Sequence, residues 1–371
     1  MTHDIVVTGM AWYTALGNTL QGVWARLLNG ETGISAVPSP YSLKNNSAAV
    51  IKLESRGDAR DTLDHLTRHV LAEAANHARL DFPRHAPRTM LIIGTSFGAR
   101  LDDARSAAEP LDRWVNDIAE EFGLTPVVLS TACSSGSDAL LLGSRLIQAG
   151  IADRCICGGA DVLGESKRLA HTGLGTMSST ALRSFDHRHD GTLLGEGVGL
   201  LVLERRGTHS VAPLAVLRGT GSSNDAAGLT APDKEGNGIR LAIDRSLDDA
   251  GLARKDIGII NAHASGTFTN DRIESTAYTS MFGASRPMVF ATKGALGHTL
   301  GATGALEAIA LILALNHKVV PPIHGLETPI PGFELPLPVG EPAPIDARYG
   351  ISLTIGFGGF NTSLVFERNA A

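Results

Sequence analysis

Three segments of the first half of the chain recur in the second, in the same order and at nearly one offset. The run "TMLIIGTSFG" (89–98) resembles "DIGIINAHASG" (256–266). Both are apolar strands ending in small residues, and each follows a helix-like stretch, "LTRHVLAEAANHARL" and "GIRLAIDRSLDDAGL". Next, "VVLSTACSSGSDALLLGSRLI" (127–147) resembles "MVFATKGALGHTLGATGALEAIALIL" (288–313) as strand, small-residue loop and apolar helix. Finally, "GLLVLERR" (199–206) resembles "TSLVFERN" (362–369). Aligning Ile92 with Ile259, Thr131 with Thr292 and Leu201 with Leu364 gives offsets of 167, 161 and 163. A repeat on this scale confines the chain to a duplicated architecture. Its strands are near-continuous apolar runs, as expected where both faces are buried. We therefore expect an α/β fold of two αβ halves, residues 1–206 and 207–371, sharing one core as layers of sheet and helix.

Composition narrows the function. A formal net charge of −6 gives no basic field for nucleic acid. Three cysteines, Cys133, Cys155 and Cys157, make no disulfide framework and fit a reducing compartment. The N-terminus lacks a basic region followed by a long apolar one, and the greasiest helix pattern, "GALEAIALILALNH", contains Glu307 and is short for a bilayer. A cytoplasmic protein with no membrane partner is expected. The Pro-rich stretch from Thr328 to Pro344 excludes a central strand or helix there.

Cys133 ends a good strand, "PVVLSTA", and precedes a good helix, "SDALLLGSRLIQAG", with Ala139, Leu142, Leu146 and Ile147 on one side and Gly150 as its stop. A thiol at a helix N-terminus meets free N–H groups that lower its pKa and can receive a developing oxyanion. Cys133 reads as either a nucleophile or a small buried hydrophobe. Cys155 and Cys157 alternate in "DRCICGGAD", are assigned one to each face of that strand, and read as packing. The second half supplies what a thiol nucleophile needs. His263 follows the strand "IGIINA", and His298 lies in the glycine-rich loop "GALGHTLGATG". Both fall at strand ends, where α/β folds place chemistry. The other histidines read as surface. His65, His69 and His77 share the first helix without a carboxylate cluster, so no metal site is expected.

The segments "STACSSGSDAL", "NAHASGTFTNDRIES", "KGALGHTLGATGALEA" and "GFGGFN" resemble the β-ketoacyl synthases, as do "IVVTGMAWYTALGNTLQGVWARLLNGETGI" and "SFDHRHDGTLLGEGVGLLVLE". The resemblance runs from near residue 5 to near residue 367. It implies a thiolase-like fold, with the duplicated αβ halves forming a layered α-β-α-β-α sandwich. It also implies Cys133 as the acyl-accepting nucleophile, His263 and His298 as the active-site histidines, and Lys293 as the lysine five residues before the second of them. Phe357 corresponds to the residue whose N–H joins that of Cys133 in an oxyanion hole and whose ring is a gate. Asp271, Glu274, Glu307 and Asn361 correspond to polar residues that support the site, or serve only as structural hydrogen-bonders.

The implied reaction is decarboxylative condensation of a Cys133-bound acyl group with a malonyl-carrier thioester, in a type II fatty-acid or polyketide-like pathway. A thiolase needs a second cysteine in the last loop, and "GFGGFN" has none. No cofactor is implied beyond the phosphopantetheine carried in by acyl carrier protein. The implied partners are that carrier and a second subunit, giving a homodimer or a heterodimer with a ketosynthase-like chain. The alternatives are an acyltransferase on the same fold and a non-catalytic subunit that shapes chain length.

Three departures stand out. Ala264 replaces the glycine usual after the first histidine. Material is missing around residues 40–60 and between Gly98 and Leu124, where Phe97 falls at an expected acyl-tunnel floor. Leu174 falls at an expected aromatic gate. They suggest a specialised polyketide or aryl-polyene-like synthase. Lys167–Arg168 and Arg205–Arg206 are candidate carrier-docking charges.

Overall fold

A computed structural model of the chain describes residues 4–82, 84–102, 108–208 and 211–369. The first half contributes β1 (Ile5–Thr14), α1 (Leu20–Leu28), β2 (Ile34–Ala36), β3 (Ser47–Ala49), α2 (Ala59–His77), β4 (Thr89–Gly94), α3 (Arg113–Phe122), β5 (Thr125–Leu129), α4 (Ser135–Gln148), β6 (Arg154–Asp161), α5 (Glu165–Gly173) and β7 (Gly197–Arg205). The second contributes β8 (Ala215–Asn224), α6 (Asn237–Ala250), β9 (Ile257–Asn261), α7 (Phe268–Phe282), β10 (Met288–Phe290), α8 (Lys293–Leu296), α9 (Thr303–His317), β11 (Val319–Val320), β12 (Ala343–Pro344), β13 (Tyr349–Gly356) and β14 (Phe360–Arg368).

The duplication is visible in the strand order, β10-β9-β13-β14-β8-β1-β7-β6-β4-β5. Read outward from the centre, each set of five has the same order and the same directions. The outer pairings, β4 with β5 and β6, and β9 with β10 and β13, are parallel. The inner ones, β6–β7–β1 and β13–β14–β8, are antiparallel. The two sets meet through three pairs only, Ile5–Val7 of β1 with Ala215–Leu217 of β8.

Beyond that short joint, helices fill the space between the two sets. Both α4 and α9 pack against strands of both halves. Outside them, α2 and α3 cover the first set, and α6, with α7 packed on it, covers the second. The result is the α-β-α-β-α sandwich expected from the duplication. A helix enclosed by two sheets must be apolar all round, and α9 is buried without a break from Thr303 to Leu315. With the turn before it, the helical run Leu300–His317 reaches 18 residues, a length that could span a membrane, but here it is core. Enclosure also changes the expected face of α4. Ala139, Leu140, Gly143 and Ile147 are buried, whereas Leu142 and Leu146 are only half-buried. Cys155 and Cys157 both lie in the core beside Gly143, on one face of β6, because residues two apart share a face. The assignment to opposite faces is thereby corrected.

The two central helices touch through small residues. A Cβ on Gly136 would lie 2.8 Å from the Gly301 carbonyl oxygen, and one on Gly304 would lie 2.0 Å from Ser137 Oγ. Gly304→Ala is expected to lower unfolding stability by about 1–3 kcal/mol through overpacking, measured as a shift in the chemical-denaturation midpoint.

Candidate active site

Cys133 sits in a tight turn, Ala132–Ser134, between β5 and α4, and is 4% exposed. Ala132 takes a left-handed backbone (φ 52°), which turns the chain sharply and lifts the thiol out of the strand line. Short side chains hold the turn. Ser135 Oγ accepts from the Thr131 N–H at 2.9 Å, and Asp138 accepts from the hydroxyls of Thr131 (2.5 Å) and Ser134 (3.1 Å). The second half repeats the device. Leu300 is left-handed (φ 51°) at the turn Leu300–Ala302, just before α9.

This geometry brings Cys133, His263, His298 and Phe357 onto one cavity of about 250 Å³. The Phe357 backbone N–H favours the thiolate form of Cys133, and both residues line the cavity. The two imidazoles are edge to face, with ring centroids 5.4 Å apart. Their tautomers follow from their partners. Lys293 Nζ lies 3.3 Å from His263 Nδ1, and an ammonium only donates. The Leu300 N–H donates to His298 Nδ1 at 3.4 Å. Each neutral ring therefore carries its proton on Nε2. Burial, and then the Lys293 charge, hold both pKa values well below the usual histidine range, so both rings are neutral at pH 7.

The remaining expected residues sit behind these. Lys293 also donates to the His263 carbonyl and pairs with Glu307, which burial pushes up to about 7. Glu274 accepts from the backbone N–H of His263 and of Ala264, both at 2.7 Å, and from Tyr278 and Asn270. Asp271 accepts from the N–H groups of Phe185 (2.8 Å) and Gly266 (3.0 Å). Asn361 donates to Asp225 (2.8 Å) and to the Gly359 carbonyl (3.0 Å), bracing the turn after Phe357. None of these four carboxylate or amide residues lines the cavity. Ala264 keeps the left-handed backbone (φ 43°) that a glycine adopts freely, a conformation costing an alanine about 1–2 kcal/mol.

Four expectations change. Phe97 is 52% exposed, beside Trp114 and Leu111, and does not reach the cavity. Leu174 is also 52% exposed, at the end of α5. The aromatic partner of Phe357 is instead His171, one turn earlier and stacked at 5.6 Å. The signal was available in α5, whose inward positions are Lys167, Arg168 and His171. His171 is buried and lines the cavity, so it is not a surface histidine. Lys167 and Arg168 are not docking charges. Lys167 is buried and paired with Asp161 at 2.8 Å, and Arg168 is buried and paired with Glu165 at 3.0 Å. Of the other pair, Arg205 donates to the Ile147 carbonyl and Arg206 pairs with Asp4. Sequence reasoning also missed Thr192, Ser265 and Thr267 in the cavity wall. Among the described residues no metal-ligand cluster forms.

The expected low pKa of Cys133 is reversed. Burial pushes the thiol up to about 12, outweighing the Lys293 charge and the Phe357 N–H. Well below its pKa, thiolate rises tenfold per pH unit. Alkylation of Cys133 by iodoacetamide should therefore climb about tenfold per unit from pH 7 to 9 with no plateau, followed by intact-mass spectrometry.

Comparison with known proteins places this geometry. The family model "Beta-ketoacyl synthase, N-terminal domain" matches residues 2–209, and "Beta-ketoacyl synthase, C-terminal domain" matches residues 214–327. A "3-oxoacyl-[acyl-carrier-protein] synthase 2" of Mycobacterium bovis is 33% identical, covering 98% of this chain and 97% of the relative. Among solved structures, "the ishigamide ketosynthase/chain length factor" superposes with a TM-score of 0.92 at 27% identity, over 99% of this chain and 100% of the other. A ketosynthase (ApeO) in complex with its chain length factor (ApeC), from Xenorhabdus doucetiae, gives 0.83 at 28%, over 99% and 98%. The layered fold is the thiolase-like one of these ketosynthases. With both family domains matched in order and a relative aligned over nearly its whole length, the chain belongs to the beta-ketoacyl synthase family.

Proposed function

We propose that the chain condenses a Cys133-bound acyl group with a malonyl thioester on acyl carrier protein, releasing CO2 and giving a β-ketoacyl thioester. The observation that carries this reading is one thiol and two neutral imidazoles, both with Nε2–H, on a single cavity. In the first step the Cys133 sulfur attacks the acyl thioester. The oxyanion is received by the N–H groups of Cys133 and Phe357, and the carrier thiol leaves with the thiol proton. In the second step the malonyl C–C bond breaks. CO2 departs, and the electron pair moves into an enolate whose oxygen accepts from His263 and His298. Neutral donors suit this task, since they stabilise developing charge without giving up a proton. The enolate carbon attacks the acyl group, the C–S bond breaks, and the Cys133 sulfur regains a proton from solvent. Phosphopantetheine reaches the cavity on the carrier, and no other cofactor takes part.

The alternative of acyl transfer without decarboxylation would not need two Nε2–H donors facing one site. His263→Ala and His298→Ala should each slow CO2 release from malonyl-carrier thioester about 10²–10³-fold, while Cys133 still becomes acylated. Timed CO2 assays alongside intact-mass measurement separate the two steps. Loss of acylation with unchanged CO2 release would reverse the assignment.

The reading includes a second ketosynthase-like subunit, identical or not. β5 ends the sheet and pairs only with β4, leaving one edge open among the described residues. Phe97 and Leu101 expose apolar surface just after β4. Native mass spectrometry of the isolated chain should give twice its 38.8 kDa if the partner is a second copy. A 38.8 kDa species that doubles only on adding a ketosynthase-like chain would mark a heterodimer.

A further inference from the structure

The cavity holds a third imidazole whose hydrogen bonding is the reverse of the other two. His171 is 8% exposed, and its Nδ1 lies 3.0 Å from Thr176 Oγ1. That hydroxyl gives its one proton to the His171 carbonyl at 3.2 Å. The Thr176 oxygen therefore accepts from Nδ1–H, which leaves the lone pair of the neutral ring on Nε2. Burial pushes the His171 pKa down to about 4, so the ring is neutral at pH 7. Among the described residues Nε2 has no hydrogen-bond partner.

Thr192 stands next to it. Its N–H donates to the Thr176 carbonyl at 2.8 Å, so His171, Thr176 and Thr192 form one wall of the cavity. Thr192 is 2% exposed, and its Oγ1 has no partner. A buried hydroxyl without a partner is uncommon and calls for an explanation. The wall is close to the reacting centre, because the His171 ring stacks on Phe357, which lines the same cavity as Cys133. Its groups without a partner are one lone pair on His171 and one O–H on Thr192, the latter closed off from solvent. An alcohol is the complement of that pair, since it donates one proton and accepts another. A saturated alkyl chain would leave both groups unsatisfied, a loss that discriminates strongly in a buried site.

We propose that the wall of His171, Thr176 and Thr192 recognises a hydroxyl on the acyl chain carried by Cys133, making hydroxyacyl thioesters the favoured acylating substrates. The inference rests on the condensing reading above and names its substrate class. It places the chain after a reaction that leaves an alcohol on the growing acyl group, such as reduction of a ketone.

The test uses acyl-pantetheine thioesters of matched length, saturated or hydroxylated at the third, fifth or seventh carbon. Acylation of Cys133 is timed by intact-mass spectrometry. In the unaltered protein at least one hydroxyacyl thioester should react about tenfold faster than its saturated counterpart. His171→Phe, which keeps a ring against Phe357, and Thr192→Val should each cut that ratio about fivefold or more. A ratio at or below one in the unaltered protein overturns the proposal even if neither variant folds. So does a ratio unchanged in both variants. Failure of every thioester to acylate Cys133 removes the condensing reading itself. Acylation without preference removes only the hydroxyl assignment.

Discussion

The closeness of α4 to α9 is the constraint on which the rest depends. Cys133 precedes one of these helices and His298 precedes the other, and the two helices meet through Gly136, Gly301 and Gly304. Side chains of ordinary size at those points would part the helices and separate the sulfur from the imidazole. The same contact holds the two strand sets on either side, because both helices pack on both. The geometry of the cavity and core packing are here one problem, and glycine solves both by letting backbones approach.

The site works by keeping groups neutral. Its thiol and three imidazoles are buried, and burial moves each pKa away from ionisation at pH 7. Lys293 is the buried cation beside them, compensated by Glu307. Its contact with His263 Nδ1 selects a tautomer rather than creating a charge. A hydroxyl from Thr176 selects the opposite tautomer in His171. One cavity thus presents two N–H donors and one lone pair from three copies of the same side chain.

The sequence made the duplication and the convergence of Cys133, His263 and His298 readable, because each lies where an apolar run gives way to small residues. It was silent where a partner comes from far along the chain. Lys167 and Arg168 look like exposed charge until Asp161 and the carbonyls of Gly98 and Val162 are seen to enclose the Lys167 ammonium. Leu174 stood in for His171 because the resemblance places an aromatic ring at that point of the chain, whereas the fold turns the residue one helical turn earlier toward Phe357. The pKa of Cys133 was misjudged for a related reason. The helix end is local and legible, but the depth of burial that outweighs it is a property of the whole fold.

The matched left-handed turns at Ala132 and Leu300 carry a further consequence. Gly301 occupies the place in the second turn that Cys133 holds in the first, yet its N–H donates to Asp161 at 2.7 Å. A Cβ there would lie 2.6 Å from the same carboxylate. The second turn is sealed on both counts, with its amide already spoken for and no room for a sulfur. A single aspartate, itself locked by Lys167, decides which of two equivalent corners stays vacant for a visitor. An inherited symmetry of shape is thereby turned into a one-sided enzyme.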